Sequence, residues 1–345
     1  MAKSQVAILT LRPMKLFLRF LVLALCSVRL FAQPSDFQTA DFIKPDSVAE
    51  LYPNYSLDDI KGLAEKLTIP FAKDEEKFRA IYVWVCRNIE NDHDFYLENK
   101  HKREKLINNP DALRTWNKEF SERAFKKLLT EHKTVCTGYA YLVKELAVRA
   151  GLSCVVIDGY GRTAQANIGG IGIPNHSWNA VQLNNKWYLC DATWSSGAIN
   201  LEMRTFIKKY NNSYFLAAPN LFVRNHYPLD SAWMLLHDKP TLNEFLNRPL
   251  VYSSIYRNKI SPVFPKTFEV SATKGETVSF RFKKNSDTAI KKGELQINGV
   301  NTTANSYYDS HGLYCLDHIF TSRGTHLVHV LFDSDYAFTY SVKVR

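Results

Sequence analysis

Residues 175–194 constrain the fold of this chain more than any other segment, and they read NHSWNAVQLNNKWYLCDATW. Apolar and polar residues alternate on both sides of Asn184-Asn185, a pair that tolerates positive φ. The segment therefore predicts two antiparallel strands joined by a tight turn. A two-residue loop makes Leu183 face Lys186.

The same register brings two chemically active side chains together. It pairs Trp178 with Asp191 and His176 with Thr193, because side chains alternate along a strand. His176 and Asp191 then lie on one face as diagonal neighbours, whereas one inserted residue would put them on opposite faces. A histidine beside a carboxylate is half of a catalytic triad, so the rest of the chain has to supply a nucleophile.

Cys136 is the candidate nucleophile. Apolar residues recur at helical spacing from Cys136 to Ala150, and Gly151 ends the predicted helix. A helix N-terminus and a nearby imidazolium both lower a thiol pKa from about 8.5, which favours the nucleophilic thiolate. We expect His176 to supply the imidazolium and Asp191 to orient it, a hypothesis that requires these distant segments to meet in space.

Three motifs carry a family resemblance. VCTGYA at 135–140, HSWNAV at 176–181 and WYLCDATW at 187–194 resemble the core motifs of the transglutaminase-like superfamily. The resemblance implies a papain-like triad of Cys136, His176 and Asp191.

Two further segments resemble the branch that includes the kyphoscoliosis peptidase and many exported bacterial proteins. They are KFRAIYVWVCRNI at 77–89 and SYFLAAPNLFVRNHYPLDSAWMLL at 213–236. The chain departs from that branch at NIENDHDF, where relatives commonly have NIxYD, and at 233–236, where WMLL replaces WQLL.

The implied fold is α+β, with a papain-like core of helices packed on an antiparallel sheet over residues 34–250. Residues 241–265 contain several prolines and read as an irregular boundary. Beyond it, alternating segments separated by turn residues predict a small β-sandwich of immunoglobulin type over residues 260–345.

The helices of the core have their own sequence signals. A capping box at Ser56 predicts a helix to about Leu67. Lys73 to Ile89 places one apolar stripe on a second helix, with Trp84 and Cys86 interpreted as packing residues. Residues 91–110 are polar and read as a surface insertion, after which helix returns near 121–131.

Residues 1–33 read as a secretory signal peptide, because a short apolar run is flanked by basic residues and no acids. Met14 is an alternative first residue of this signal peptide. A lipoprotein signal, processed at Cys26, is the alternative type of signal. The mature protein is expected to be secreted or periplasmic, without stable membrane insertion. Five of the 44 Lys and Arg residues lie in this segment, so its removal lowers the net charge from +10 to +5.

This modest charge argues against a nucleic-acid partner. The remaining basic cluster, KHKREK at 100–105, is interpreted as a solvated surface. Five cysteines follow the signal peptide without a CxxC pair, so neither a structural metal nor a cofactor is predicted. Cys154 and Cys190 fall on neighbouring predicted strands. The sequence is compatible either with a disulfide between them or with two free thiols.

Three tryptophans are candidate residues around the triad. Animal transglutaminases use a tryptophan upstream of the cysteine as an oxyanion donor, and Trp116 is the candidate for that place. The backbone N–H of Cys136 is a second donor. Trp178 and Trp194 share the strand parity of His176 and Asp191, and they either shield the triad from water or fill the core.

The resulting prediction is an exported thiol enzyme that acts on amide bonds of proteins or peptides, with a cysteine peptidase as the first choice. A cross-linking or deamidating transglutaminase uses the same triad, and so does a peptide:N-glycanase. A non-catalytic protein that binds peptide or glycan is the remaining alternative. The sequence does not predict the oligomeric state or the substrate.

Overall fold

The structure, a computed structural model, describes residues 34–37, 39–200, 203–284, 290 and 292–345. The predicted signal peptide, with its alternative start and the lipoprotein cysteine, lies outside these ranges. Within them, every helix is too short or too polar to cross a bilayer.

The amino-terminal half of the described chain is mostly helical. Its α-helices are α1 (Ile43–Glu50), α2 (Ile60–Thr68), α3 (Asp74–Asn88), α4 (His93–Leu106), α5 (Pro110–Glu131) and α6 (Cys136–Arg149). Helix α3 is central, and the predicted stripe is fully buried at Phe78, Ile81, Tyr82, Val85 and Ile89. Burial of such a side chain contributes about 1.5–3 kcal/mol, so α3 organises the packing of α2, α6 and the sheet.

Trp84 and Cys86 confirm their predicted packing role, because both are buried in α3. The predicted helix start at Ser56 is wrong. Ser56 caps a 3₁₀ turn (Leu57–Asp59), and α2 begins after it, where the Asp59 carboxylate accepts the N–H of Gly62 at 2.8 Å. Ser56 and Asp59 are both cap residues, and the second of them starts the α-helix.

Residues 91–110 lie at the surface as predicted, with Phe95 alone among them buried, and most of them form α4 and the start of α5. Asp92 caps α4 by accepting the N–H of Phe95 at 3.0 Å. Asn109 caps α5, with Pro110 at its first position. The two helices form a hairpin in which Phe95 stacks on Phe120 at 4.3 Å. Helix α4 lacks an apolar stripe, so periodicity alone could not reveal it.

A four-stranded antiparallel sheet follows the helices. It contains β3 (Cys154–Gly161), β4 (His176–Leu183), β5 (Lys186–Cys190) and β8 (His226–Pro228), in the order β5-β4-β3-β8. Two short strands, β1 (Glu90–Asn91) and β2 (Lys133–Thr134), precede it in the chain and pair with each other. Between β5 and β8 lie α7 (Ala192–Ser196), β6 (Gly197–Asn200), β7 (Thr205–Lys208) and α8 (Pro219–Phe222).

The predicted hairpin register is confirmed as far as the strands extend. Leu183 faces Lys186, and Asn184 and Asn185 have φ values of 49° and 62°. The ladder ends at Cys190, however, so the expected pairing of His176 with Thr193 is wrong: Thr193 lies in α7. Helix formation after Asp191 replaces further strand pairing.

The carboxy-terminal strands form two sheets. One has the order β10-β12-β16-β15, and the other has the order β11-β18-β17-β13-β14, with β9 paired to β18. The strands are β9 (Leu250–Val251), β10 (Ile260–Phe264), β11 (Glu269–Ala272), β12 (Thr277–Lys284), β13 (Gly293–Ile297), β14 (Val300–Thr302), β15 (Asn305–Tyr308), β16 (Tyr314–Ile319), β17 (Gly324–Phe332) and β18 (Asp335–Val344). The predicted α+β class with a carboxy-terminal sandwich is confirmed.

Residues 241–265 are more regular than predicted. They contain α9 (Leu242–Asn247), β9, α10 (Ser254–Asn258) and β10. Strand β9 pairs with β18, and one connected apolar cluster joins side chains of β3 and β4 to those of the sandwich. Proline and polar residues hid these short elements, and the hydrogen-bond partners of β9 lie about ninety residues further along the chain.

Candidate active site

Cys136 is the first residue of α6, and its side chain is half-buried. The turn before it is tight, because Thr134 is fully buried and packs against Gly138. A Cβ at Gly138 would lie 2.1 Å from Thr134 Oγ1, so the glycine of VCTGYA is required for this close approach. The Sγ of Cys136 lies 3.9 Å from the carbonyl oxygen of Asn175.

The electrostatic environment of Cys136 favours the thiolate. Burial raises the pKa of the thiol, whereas a hydrogen bond from His176 and its positive charge lower it, and the net pKa lies below its ordinary value. The other free thiols behave in the opposite way, since burial raises the pKa of Cys154 to about 12 and that of Cys190 well above its usual range. Cys136 is therefore the thiol suited to nucleophilic chemistry.

His176 begins β4 and is buried beside Gly161, where any Cβ would lie 2.8 Å from the Cβ of the histidine. Its Nε2 lies 2.8 Å from Oδ2 of Asp191, so the carboxylate orients the ring. Burial lowers the pKa of His176, but the charge of Asp191 and the hydrogen bonds to Asp191 and Cys136 raise it to about 10. His176 is therefore an imidazolium at neutral pH.

Asp191 is almost fully buried at the end of β5, and both oxygens of its carboxylate have hydrogen-bond partners. Its Oδ1 accepts the N–H groups of Thr193 at 2.8 Å and Trp194 at 3.2 Å, which caps α7. Burial raises the pKa of this carboxyl, but the charge and hydrogen bonds of two histidines outweigh burial and hold the pKa well below its usual range. Asp191 stays ionised.

The second histidine is His226, which the sequence analysis did not single out. It lies in β8, fully buried, with Nε2 at 3.0 Å from the same Oδ2 of Asp191. Its Nδ1 lies 2.7 Å from Oδ1 of Asn225, which also accepts the hydroxyl of Tyr256 at 2.8 Å. Burial lowers the pKa of His226 to about 4, so the ring is neutral where His176 is charged. A neutral ring carries one N–H, which His226 donates to the Asp191 carboxylate rather than to Asn225. His226 positions the carboxylate.

Two of the three candidate tryptophans contact this cluster. The ring of Trp194 stacks on His176 at 4.9 Å and lies 4.4 Å from His226. Trp178 is almost fully buried, with its ring 5.1 Å from that of His226 and 6.0 Å from that of His176. Both tryptophans cover the histidines and shield the hydrogen bonds between these histidines and Asp191 from water.

Trp116 lies elsewhere, in the α4–α5 hairpin. Its indole N–H donates to Oδ1 of Asn99 at 2.9 Å, and its ring packs on Phe120 at 6.0 Å. The ammonium of Lys102 lies 5.5 Å from the same ring. These contacts explain Trp116 as a packing residue of the hairpin, and none of them joins it to the triad.

His176, Asp191 and His226 each offer one metal-ligating atom, and these atoms lie within 4.8 Å of one another. Both Nε2 atoms are already at hydrogen-bond distance from Asp191 Oδ2. Hydrogen bonding thus explains the close approach, and this grouping supplies three protein ligands where a structural zinc site takes four.

The buried, neutral state of His226 predicts a loss of stability in acid. In the unfolded chain its pKa is near 6.5, against about 4 in the folded protein, so below pH 6.5 the unfolded state binds more protons. The free energy of unfolding should fall by up to about 3 kcal/mol between pH 7 and pH 4 through this group. Replacing His226 with glutamine should make that decline shallower, as measured by urea unfolding at several pH values.

His237→Gln is the matched control, because His237 is exposed beside Asp238. It should keep the wild-type pH dependence. Equal slopes for the wild type and His226→Gln would contradict the assignment of a neutral His226.

Comparisons with known proteins agree on the family of this region. Residues 61–192 match the family model described as the transglutaminase-like superfamily. The chain is 32% identical to Kyphoscoliosis peptidase of Mus musculus over 208 residues, which are 59% of this chain and 28% of that protein. It is 28% identical to Hillarin of Drosophila melanogaster over 250 residues, which are 68% of this chain and 27% of that protein.

A solved structure described as "Crystal structure of a TGase" is also similar, at 16% identity and a TM-score of 0.27, over 58% of this chain and 42% of that chain. The protein spans less than a third of the length of either curated relative.

Proposed function

Residues 61–192 form a domain of the transglutaminase-like superfamily, and on that basis we propose that this protein is a thiol enzyme that cleaves amide bonds of peptides or proteins through an acyl intermediate on Cys136. The observation that carries the proposal is the placement of Cys136 at the start of α6, with its Sγ 3.9 Å from the carbonyl oxygen of Asn175, the residue that immediately precedes His176 of the His176–Asp191 pair. The pKa of Cys136 is lowered and that of His176 is raised, and both shifts favour the thiolate and imidazolium that thiol acyl transfer needs.

The proposed reaction has two steps. The Cys136 thiolate attacks the carbonyl carbon of the amide, the C–N bond breaks, and His176 gives its proton to the departing amine. Water then attacks the thioester while His176 takes one of its protons, and the acid leaves as the thiolate is restored. Asp191 keeps the ring oriented and stabilises its charge throughout.

The oxyanion that forms in each step requires hydrogen-bond donors. The first N–H groups of a helix lack partners within it, and the N–H of Cys136 is one of these at the start of α6. One such donor contributes about 3 to 4 kcal/mol to transition-state stabilisation.

A peptidase is the form of this chemistry that we propose, with water as the acyl acceptor. The peptidase name of the mammalian relative supports this choice. We further propose that the substrates are peptides or proteins outside the cytoplasm, a proposal that rests on the predicted signal peptide at residues 1–33.

Mass profiling of a peptide library tests the proposal. We expect pairs of fragments whose masses add up to that of the parent peptide plus one water. Loss of ammonia from glutamine or incorporation of an added amine would identify a deamidating or cross-linking enzyme instead. A library left unchanged by protein whose Cys136 reacts readily with iodoacetamide would contradict an enzymatic role.

A further inference from the structure

A small cavity of about 160 Å³ lies between α4 and the glycine-rich loop of residues 162–175. Helix α4 contributes Tyr96, Lys100 and Arg103 to its wall, and the loop contributes Asn167 and Asn175. The cavity suits a single side chain or a chain terminus of a bound peptide better than a large ligand.

The loop wall has a defined conformation. The Asn167 side chain donates to the carbonyl oxygens of Gly161 at 2.9 Å and Ile173 at 3.1 Å, and its Oδ1 accepts the N–H of Ile173 at 2.8 Å. Arg162 anchors the start of the loop by donating to the carbonyl oxygens of Asn167 and Pro249, each at 3.0 Å. The cavity is therefore preformed on this side.

The cavity adjoins the candidate nucleophile. Asn175 lines it, and the carbonyl oxygen of this residue lies 3.9 Å from Sγ of Cys136. Tyr96 also lines it, and its pKa is raised by burial and by the charge of Cys136. A peptide whose carbonyl carbon reaches Cys136 would therefore place a neighbouring group at the cavity entrance.

The wall formed by α4 is basic in a way that the sequence pattern did not reveal. Lys100 and Arg103 are one turn apart and half-buried, whereas the flanking Lys102 and Lys105 are exposed. The Nε of Arg103 is a buried nitrogen without a hydrogen-bond partner among the described residues. Neither basic group has an ion-pair partner there either.

A buried guanidinium nitrogen left without an acceptor costs free energy, and the planar guanidinium suits a carboxylate in a two-point contact. Glu104 also borders the cavity, but its side chain is exposed, so water screens its charge. The positive charges at the wall thus exceed the negative charge.

We propose that this cavity binds a carboxylate of the peptide substrate, and that Arg103 and Lys100 determine a specificity for acidic substrates. The carboxylate comes from a glutamate or aspartate side chain near the cleaved bond or from the carboxyl terminus of the peptide. The inference rests on the proposed peptidase function, which it extends to a substrate class.

Peptides that differ in one group test this specificity. A cleaved library peptide is remade with glutamate or glutamine at each position around the cleaved bond, and with a free or amidated carboxyl terminus. We expect kcat/KM to be about tenfold or more higher for one carboxylate form than for its neutral counterpart, the size expected for a charged hydrogen bond. The position of the effect separates a side-chain carboxylate from a terminal one.

Variants of α4 show whether the cavity is responsible. Arg103→Gln should remove most of the preference, measured as the ratio of kcat/KM for the carboxylate and neutral peptides, and Arg103→Lys should restore part of it. Lys105→Gln is the matched control, because it removes the same charge from an exposed site of the same helix. A preference equal in all these variants would overturn the proposal.

Binding measurements separate this inference from the proposed function. Peptides with glutamate or glutamine in the sequence, and with a free or amidated carboxyl terminus, are chosen without regard to cleavage and titrated by calorimetry against protein carrying Cys136→Ala, alone and together with Arg103→Gln. Tighter binding of the carboxylate form than of the neutral form, lost in Arg103→Gln, would support the subsite. If the wild-type protein at the same time cleaved no peptide, the peptidase proposal would be refuted while the subsite would stand. Equal binding of both forms, or no binding, would overturn the subsite whatever the outcome for cleavage.

Discussion

Replacement of Cys136 by alanine should lower kcat/KM for peptide cleavage by about 10⁵-fold or more, which is the scale found when the nucleophile of a triad is removed. The reason is that the proposed acyl intermediate forms on this sulfur, and its pKa is lowered by His176. The remaining thiols that are buried have raised pKa values, so none of these can replace it. Continuous cleavage assays with a library-derived peptide measure the effect.

Cys154→Ala is the matched control, since it removes the same atom from a buried thiol whose pKa is raised to about 12. It should retain activity once the two proteins are compared as folded material. Equal losses for Cys154→Ala and Cys136→Ala, or substantial activity without the Cys136 sulfur, would contradict the assigned nucleophile.

Replacement of Asp191 by asparagine should lower kcat by about 10⁴-fold while leaving the fold intact. Asparagine keeps an oxygen that can accept the N–H groups of Thr193 and Trp194, which preserves the cap of α7. It loses the charge that raises the pKa of His176 to about 10. The imidazolium and the thiolate that depends on it should therefore become scarce at neutral pH.

Alkylation of Cys136 by iodoacetamide at pH 6 gives a second readout for Asp191→Asn. The wild-type thiol should react faster than a model thiol at this pH, because its pKa lies below the ordinary value. In Asp191→Asn the rate should fall to that of the model thiol. Asp158→Asn is the control, because it neutralises an exposed carboxylate that accepts the hydroxyl of Ser177 at 2.6 Å. This variant should change the alkylation rate of Cys136 by less than about threefold.

An unchanged alkylation rate in Asp191→Asn would show that the carboxylate does not control the thiol. Loss of the folded circular dichroism spectrum would instead attribute the activity loss to unfolding. The two measurements together assign the effect to chemistry or to stability.

Local patterns predicted those parts of the site that depend on local structure. The turn at Asn184-Asn185 fixes the hairpin register, and this register brings His176 to Asp191 because the two strands are adjacent in sequence. Helical spacing after Cys136, ended by Gly151 at φ 81°, predicted the helix that begins at the thiol. Each of these features is encoded within about twenty residues.

His226 could not be found in this way. It reaches Asp191 because β8 pairs with β3, across more than sixty residues of chain. The available signal was Asn225-His226, two polar residues in a segment rich in apolar residues, and both are buried in the structure. Helix α4 was missed for a related reason: its contacts with α5, rather than its own apolar pattern, stabilise it.

The hydroxyl of Tyr256 donates to Oδ1 of Asn225, which lies 2.7 Å from Nδ1 of His226, and Tyr256 belongs to α10, beyond residue 250. Strand β9 beside it is paired with β18, which is synthesised later. A chain truncated at residue 250 would contain Cys136, His176 and Asp191 but lack this support. During synthesis, the reactive thiol therefore acquires its complete surroundings only after β18 has been translated, long after Cys136 itself.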